Sequence, residues 1–283
     1  STQHLHPGIS AAALDKLIEM SNRNFKVIQA LQDSALAGHV QAVEALGWIG
    51  DPRTNGTLEK IYLQEPFGSL KRSSFLALEK MGAPYLNRKE SGCPLLPTPP
   101  QIDGLLPPEE WAPAATLTHF SDDSLGSPSP QQMAAHIARD TDHLYLSLSC
   151  DLPDSQASAA WIRHRDKDTS VLEDRVEWAI SVGGGTPRIF SLTPTGAMLD
   201  QKDGNPDWNP TWQAAQVRTP DRWTLECALP FSELGIDPAR PVPHFRFNLS
   251  WRYAQTPTHR WTWSVTYGAP QNPDRFGNLI LMP

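Results

Sequence analysis

After Pro100 the chain repeatedly alternates apolar and polar residues at a period of two, which confines that part to strands that each bury one face. From Asp142 to Cys150, Leu144, Leu146, Leu148 and Cys150 share one face, and His143, Tyr145, Ser147 and Ser149 the other. From Arg175 to Val182, Val176, Trp178, Ile180 and Val182 point inward while Glu177, Ala179 and Ser181 point outward. Trp223, Leu225, Cys227 and Leu229 make a third apolar row, and Phe245, Phe247, Leu249, Trp251 and Tyr253 a fourth. The alternates of that fourth row, Arg246, Asn248, Ser250 and Arg252, are polar. Rows of this size need a second apolar surface to cover them, so two packed antiparallel sheets are expected. Trp178, Trp223 and Trp251 have inward parity, and Trp261 and Trp263 are assigned to the core with them. Trp208 and Trp212 stand among Asp, Asn, Gly and Pro, where exposure is expected.

Residues 11–90 follow a helical pattern instead. V-Q-A-V-E-A-L-G-W-I-G-D-P (Val40 to Pro52) is echoed by S-S-F-L-A-L-E-K-M-G-A-P (Ser73 to Pro84), with Ala45 and Ala77 in equivalent places. A helix closed by Gly and then Pro carries its own stop signal. A period of this length suggests stacked helical hairpins, and the phrasing A-L-x-x-[IM]-G-[DA]-P resembles HEAT-like repeats. Such a region is either a surface for a protein partner or a packing and spacer element. Proline is dense from Cys93 to Pro108, which favours extended, polyproline-like backbone and a linker. The expected division is a helical HEAT-like domain over 1–91, a linker over 92–100 and a β-sandwich over 101–283. The fold class is multidomain α plus β, an all-α region followed by an antiparallel β-sandwich.

Charge and cysteine usage narrow the function classes. The net charge of −7 argues against nucleic acid as a partner. No run approaches the ~18 apolar residues of a membrane span. No basic start followed by an apolar stretch is present, so any signal peptide is already gone or was never included in this chain. Of the fourteen cationic residues after residue 91, twelve are arginine, the side chain whose planar fork pairs with carboxylates and stacks on aromatics. Cys150 and Cys227 sit at inward strand positions, either as buried thiols or as a bridge that would require an oxidising compartment.

Six short motifs follow one another in an order that resembles the family 9 carbohydrate-binding modules. They are D-T-D-H-L-Y-L (Asp140 to Leu146), E-D-R-V-E-W (Glu173 to Trp178), L-T-P-T-G (Leu192 to Gly196), W-N-P-T-W (Trp208 to Trp212), W-T-L-E-C-A-L-P-F (Trp223 to Phe231) and the closing R-F-G-N-L (Arg275 to Leu279). Asp103-Gly104 followed by E-E-W-A (Glu109 to Ala112) matches the start of such a domain. The resemblance covers about residues 101–283 and implies a β-sandwich that binds a polysaccharide or a glycan chain end, in an extracellular or periplasmic protein. In sugar-binding members two tryptophans clamp a terminal sugar; the corresponding places hold Val171 and Pro270 here. Trp161 and Tyr267 are the aromatic substitutes nearest to those places. Sugars need an aromatic or apolar wall for the C–H face of the ring and charged or amide groups for adjacent hydroxyls. The carbohydrate-binding candidates are therefore Trp161, Glu177, Asn248, Arg252 and Tyr267, with a Glu177–Arg252 cross-strand ion pair as the alternative for those two.

Asp200, Asp203, Asn205 and Asp207 cluster around Gly204, and oxygen ligands in a glycine-containing turn suit a structural Ca²⁺; a solvated turn is the alternative. No H-E-x-x-H, paired C-x-x-C or G-x-S-x-G is present, and no residues are marked as catalytic. The function expected is non-catalytic binding of a polysaccharide or oligosaccharide, as part of a polysaccharide-degrading protein. The alternative is a glycan-active hydrolase or lyase with its site between the two domains.

Overall fold

The computed structural model describes residues 11–23, 25–84, 88–152, 174–237, 244–252 and 260–283. The chain divides into two compact units: residues 1–87 with 125–127, and residues 88–124 with 128–283.

Among the described residues, the first unit contains five α-helices: α1 (Ala11–Arg23), α2 (Phe25–Leu36), α3 (Val40–Ile49), α4 (Asn55–Gln64) and α5 (Ser69–Lys80). The stop signals act as expected for α3, which closes at Gly50 in the left-handed region (φ 69°) with the Gly50 N–H bonded to the Leu46 carbonyl. The two copies of the sequence repeat fall on α3 and α5, which pack against each other. Ala45, Leu46, Ala77 and Leu78 are all buried. Gly47 allows the two backbones to approach: a Cβ there would lie 2.6 Å from the Ala77 Cβ.

The second unit is a sandwich of two sheets. The strands are β1 (Glu90–Cys93), β2 (Ala115–Leu117), β3 (Ser121–Asp122), β4 (Met133–Arg139), β5 (His143–Asp151), β6 (Arg175–Ser181), β7 (Arg188–Leu192), β8 (Met198–Lys202), β9 (Gln213–Arg218), β10 (Arg222–Pro230), β11 (His244–Arg252), β12 (Arg260–Thr262) and β13 (Gly277–Leu281), with one-turn helices at Pro108–Trp111 and Phe231–Leu234. One sheet runs β1-β13-β11-β6-β7-β8, with β12 beside β11 and β3 beside β12; the other runs β2-β4-β5-β10-β9. Every named pairing is antiparallel except β1 with β13. The apolar rows read from the sequence meet between the sheets, where Trp178, Trp223, Trp251, Phe190 and Phe247 are fully buried.

Two expectations are corrected. Residues 92–100 do not form a free linker. Glu90–Cys93 pairs with β13, Cys93 is 0 % and Leu96 5 % exposed, the Leu96 N–H donates to the Arg139 carbonyl, and the Arg139 N–H donates to the Pro94 carbonyl. Proline keeps the segment extended, and an extended chain can join a sheet edge. Trp212 is buried too, edge-on to Trp178 and Phe190, and Trp208 packs edge-on to Phe190 at 5.4 Å. The loop that carries them closes one end of the core.

The three cysteines are buried and unbridged. The β5–β10 register sets Cys150 opposite Trp223 and Cys227 opposite Leu146, four residues away along the strand. Burial pushes the Cys93 thiol up to about 12 and those of Cys150 and Cys227 well above the ordinary range.

The start of the sandwich is tied down by one carboxylate. Glu226, on β10, is 0 % exposed and accepts from the Trp111 indole at 2.9 Å and from the backbone N–H groups of Asp103 and Gly104 at 3.0 and 2.8 Å. Gly104 has φ 86°, and a Cβ on it would sit 2.7 Å from the Gln216 backbone. Burial raises the Glu226 pKa against the pull of these three donors.

Candidate functional site

The face of the larger sheet that points away from the core forms the floor of a pocket of about 430 Å³. That volume lies within the range of about 300–1,000 Å³ typical of small-molecule sites. Strand parity decides what the floor presents. With Val176 and Trp178 turned to the core, Arg175, Glu177 and Ala179 on β6 face the pocket. The register carries this across the sheet to Ile189 and Ser191, to Leu199 and Gln201, to Asn248, Ser250 and Arg252, and to Arg260. Loop residues 204, 206, 270 and 271 supply the rim.

The two sides of the floor differ chemically. The β7–β8 side offers Ile189 and Leu199. The β6–β11–β12 side offers the guanidinium groups of Arg175, Arg252 and Arg260 around Glu177. Glu177 Oε1 lies 2.7 Å from Arg175 Nε, and Oε2 accepts from Arg260 Nη1, which also donates to Ser250 Oγ at 3.0 Å. Glu177 is 8 % exposed. Burial alone would raise its pKa, but the charges of Arg260 and Arg175 and the Arg260 hydrogen bond outweigh it and hold the group below the ordinary carboxylate range. Glu177 therefore stays ionised and orients two guanidiniums.

The other proposed sugar-binding residues are placed as follows. Asn248 Oδ1 accepts from Leu249 N, Thr262 Oγ1 and Ser264 N, and Nδ2 donates to the Ser264 carbonyl at 2.9 Å. Its amide thus fixes the turn after β12 while its side chain lines the pocket. Arg252 lines the pocket beside Arg260, its partner across β11–β12. Arg252 contributes a weaker attraction to Glu177 than Arg260 or Arg175 does. Tyr267 is 6 % exposed, has a left-handed backbone (φ 51°) and does not line the pocket. Pro270 does line it. Trp161 and Val171 lie outside the described residues. The loop that carries Tyr267 and Pro270 is anchored by Asp123, which is 4 % exposed. Asp123 accepts from the N–H of Thr266 at 2.6 Å and from its hydroxyl at 2.8 and 2.7 Å, and burial raises its pKa.

The four oxygen ligands read as a calcium turn are not brought together. Asp200 belongs to β8 opposite Phe190, so its side chain faces the core, where Oδ2 accepts from the Trp212 indole at 3.1 Å. Asp203, Asn205 and Asp207 are exposed, and Asn205 Oδ1 is used by the Asp207 N–H. Among the described residues, no group of three His, Cys, Asp or Glu side chains is placed to share a metal ion. Likewise no helix of the described residues is long and apolar enough to cross a membrane.

Arg175 and Arg260 join the site without being among the residues that the sequence marks for it. Arg175 was legible, two residues before Glu177 and so on its face. Arg260 opens a strand of only three residues, and no run of alternation marks its face.

No protein-family model and no curated protein matches the chain. Solved structures do. A family 9 carbohydrate-binding module from Caldicellulosiruptor kristjanssonii, seen with cellotriose, is 15 % identical with a TM-score of 0.50, covering 68 % of this chain and 93 % of that one. The same module with glucose covers 69 % and 96 %, again at 15 % identity and a TM-score of 0.50. A candidate carbohydrate-binding protein from Bacteroides uniformis is 16 % identical with a TM-score of 0.53, covering 69 % of this chain and all of that one. The fold is thus an α-plus-β chain whose sandwich is like that of family 9 carbohydrate-binding modules.

Proposed function

We propose that the sandwich binds a saccharide, without catalysis, in the pocket on the outer face of the larger sheet. The observation that carries this is the split floor, an apolar strip from Ile189 and Leu199 beside a fixed set of guanidiniums around Glu177. A pyranose has the same two-sided character: C–H groups on its faces and hydroxyls at its edge. The former suit the aliphatic strip, and the latter suit charge-assisted hydrogen bonds from arginine. Structural neighbours seen with cellotriose and glucose support the choice of ligand class. The setting that goes with it is an extracellular or periplasmic protein of polysaccharide degradation, in which the helical unit serves as a HEAT-like spacer.

A hydrolytic role is disfavoured by Glu177. Most glycoside hydrolases need two carboxyl groups, one of them protonated to serve as the acid. Among the described residues, Glu177 is the one acidic side chain that strand parity turns into the pocket, and its arginines keep it ionised.

Titration of the whole chain against neutral and acidic oligosaccharides by calorimetry tests the proposal. Leu199→Ala, which trims the aliphatic strip, should weaken binding by on the order of 1 kcal/mol, about fivefold. A saccharide whose affinity is untouched by both Leu199→Ala and Arg260→Gln binds elsewhere, and the pocket is then not the site.

A further inference from the structure

We infer that the saccharide taken by this pocket is an acidic one, a sugar whose ring carries a carboxylate or a sulfate ester; this rests on the saccharide reading above and narrows it. The inference comes from counting charges by strand parity. Among the described residues, three guanidiniums face the pocket, from Arg175, Arg252 and Arg260, against the single carboxylate of Glu177. Asp200 also borders the pocket, but its side chain is turned to the core and bonded to Trp212. A net positive pocket in a chain of net charge −7 is a local inversion of the overall charge.

A neutral sugar does not require that excess. Its hydroxyls are served by neutral amides and hydroxyls, or by cations matched with anions. Here the excess lies on one side of the floor only, opposite Ile189 and Leu199. A ring lying on the aliphatic strip would direct an equatorial acidic substituent towards the arginines. The arginine side is built rather than incidental. The Arg175 and Arg260 side chains are only 15 % and 20 % exposed; Glu177 between them accepts a hydrogen bond from Arg260 and forms an ion pair with Arg175. The hydrogen bonds of the Arg260 side chain to described residues leave from Nη1 alone, one to Glu177 and one to Ser250. A planar guanidinium held in this way can give two parallel N–H groups to a carboxylate or sulfate, which a lysine could not do.

The test is a comparison of three ligands of similar length on the whole chain: a trigalacturonate, a sulfated galactan trisaccharide and cellotriose. Calorimetry is run at low salt and again at about 0.5 M salt, where the screening length falls to a few ångströms. One of the two acidic ligands should bind at least about tenfold tighter than cellotriose at low salt, as expected for a charged hydrogen bond. That ratio should shrink at high salt. Which acidic ligand wins identifies the group. Arg252→Gln should lower the acidic-to-neutral ratio at least about fivefold. Arg260→Gln should do the same, provided that its melting curve shows it folded; if it does not fold, Arg252→Gln decides the matter. Cellotriose binding as tightly as both acidic ligands, or a ratio unchanged in Arg252→Gln, overturns the inference while leaving a saccharide pocket in place. Binding of none of the three overturns the saccharide reading itself, and this inference with it.

Discussion

Replacing Glu177 by Gln should destabilise the sandwich by about 3 kcal/mol at neutral pH, and the loss should disappear in acid. The magnitude follows from the arrangement. Removing one partner of a buried ion pair typically costs about 3–5 kcal/mol, because the remaining charge is left without compensation. Here two guanidiniums lose their common partner, but their side chains are 15 % and 20 % exposed, so water reaches them and the low end of that range applies. In a domain of about 150–250 residues that is a fall in Tm of roughly 6–12 °C. The pH dependence has a definite sign. The folded-state pKa of Glu177 is depressed below its reference value of 4.5. The stabilisation is therefore complete above pH 4.5 and is lost as pH falls through the lower, folded-state value. Urea unfolding of both proteins at pH 7 and at steps between pH 5 and pH 3 measures this. Two curves of equal stability at pH 7, or a difference that persists unchanged to pH 3, would refute the idea that Glu177 is an ionised clamp for its arginines.

Four further outcomes are expected. Glu226→Gln should cost about 2 kcal/mol, since an amide cannot accept from all three N–H donors around it and one buried donor loses its partner. The raised Glu226 pKa should make the wild-type protein lose stability as pH rises from 4.5 through the folded-state value, a slope absent from Glu226→Gln in urea melts. A chain that begins at Arg88 should melt cooperatively, whereas one that begins at Gln101 should melt at lower temperature or not cooperatively, because it lacks β1 and the buried Cys93 and Leu96; calorimetric scans of the two fragments decide it. Millimolar Ca²⁺ against chelator should move the Tm by less than about 1 °C, because Asp200 is committed to Trp212; a ligand bound only by the folded state would raise it by mass action.

The parts of the fold legible in the sequence are those in which chemistry repeats at a fixed interval. Val176, Trp178 and Ile180 declare one face of β6, and Glu177 the other, because a strand turns over at every residue. The same rule gave Asn248 and Arg252 their side of β11. It did not reveal that Glu177 would be buried. That depends on Arg260, 83 residues away in the chain, and no local pattern carries such a contact. Parity was also silent wherever no strand was recognised. The sequence groups Asp200 with Asp203 and Asp207 in a turn, yet β8 runs to Lys202, and as a strand residue opposite Phe190 Asp200 has to face the core. The sequence points to Tyr267 by its place before the closing F-G-N motif, but it lies in a loop with φ 51°, where sequence position does not fix direction.

The segment from Cys93 to Trp111 shows how far a motif can be read before its reason is known. Asp103-Gly104 and Trp111 matched the start of a sandwich domain only as spaced letters, and Glu226 was one more charged residue in an alternating strand. In the folded protein they form a single unit. The glycine is needed for φ 86° and for close approach to Gln216, which brings two backbone N–H groups to the carboxylate; the indole supplies the third donor. An anion buried at 0 % exposure is tolerable only when its oxygens are satisfied, so each of the four residues requires the others. This gives a physical reason for the motifs to occur together: the turn and the tryptophan, one short helix apart, supply the donors that the buried glutamate requires. The proline-rich stretch between Cys93 and Pro108 then has a task other than linking: an extended chain held to β13 and β4 delivers the turn to Glu226.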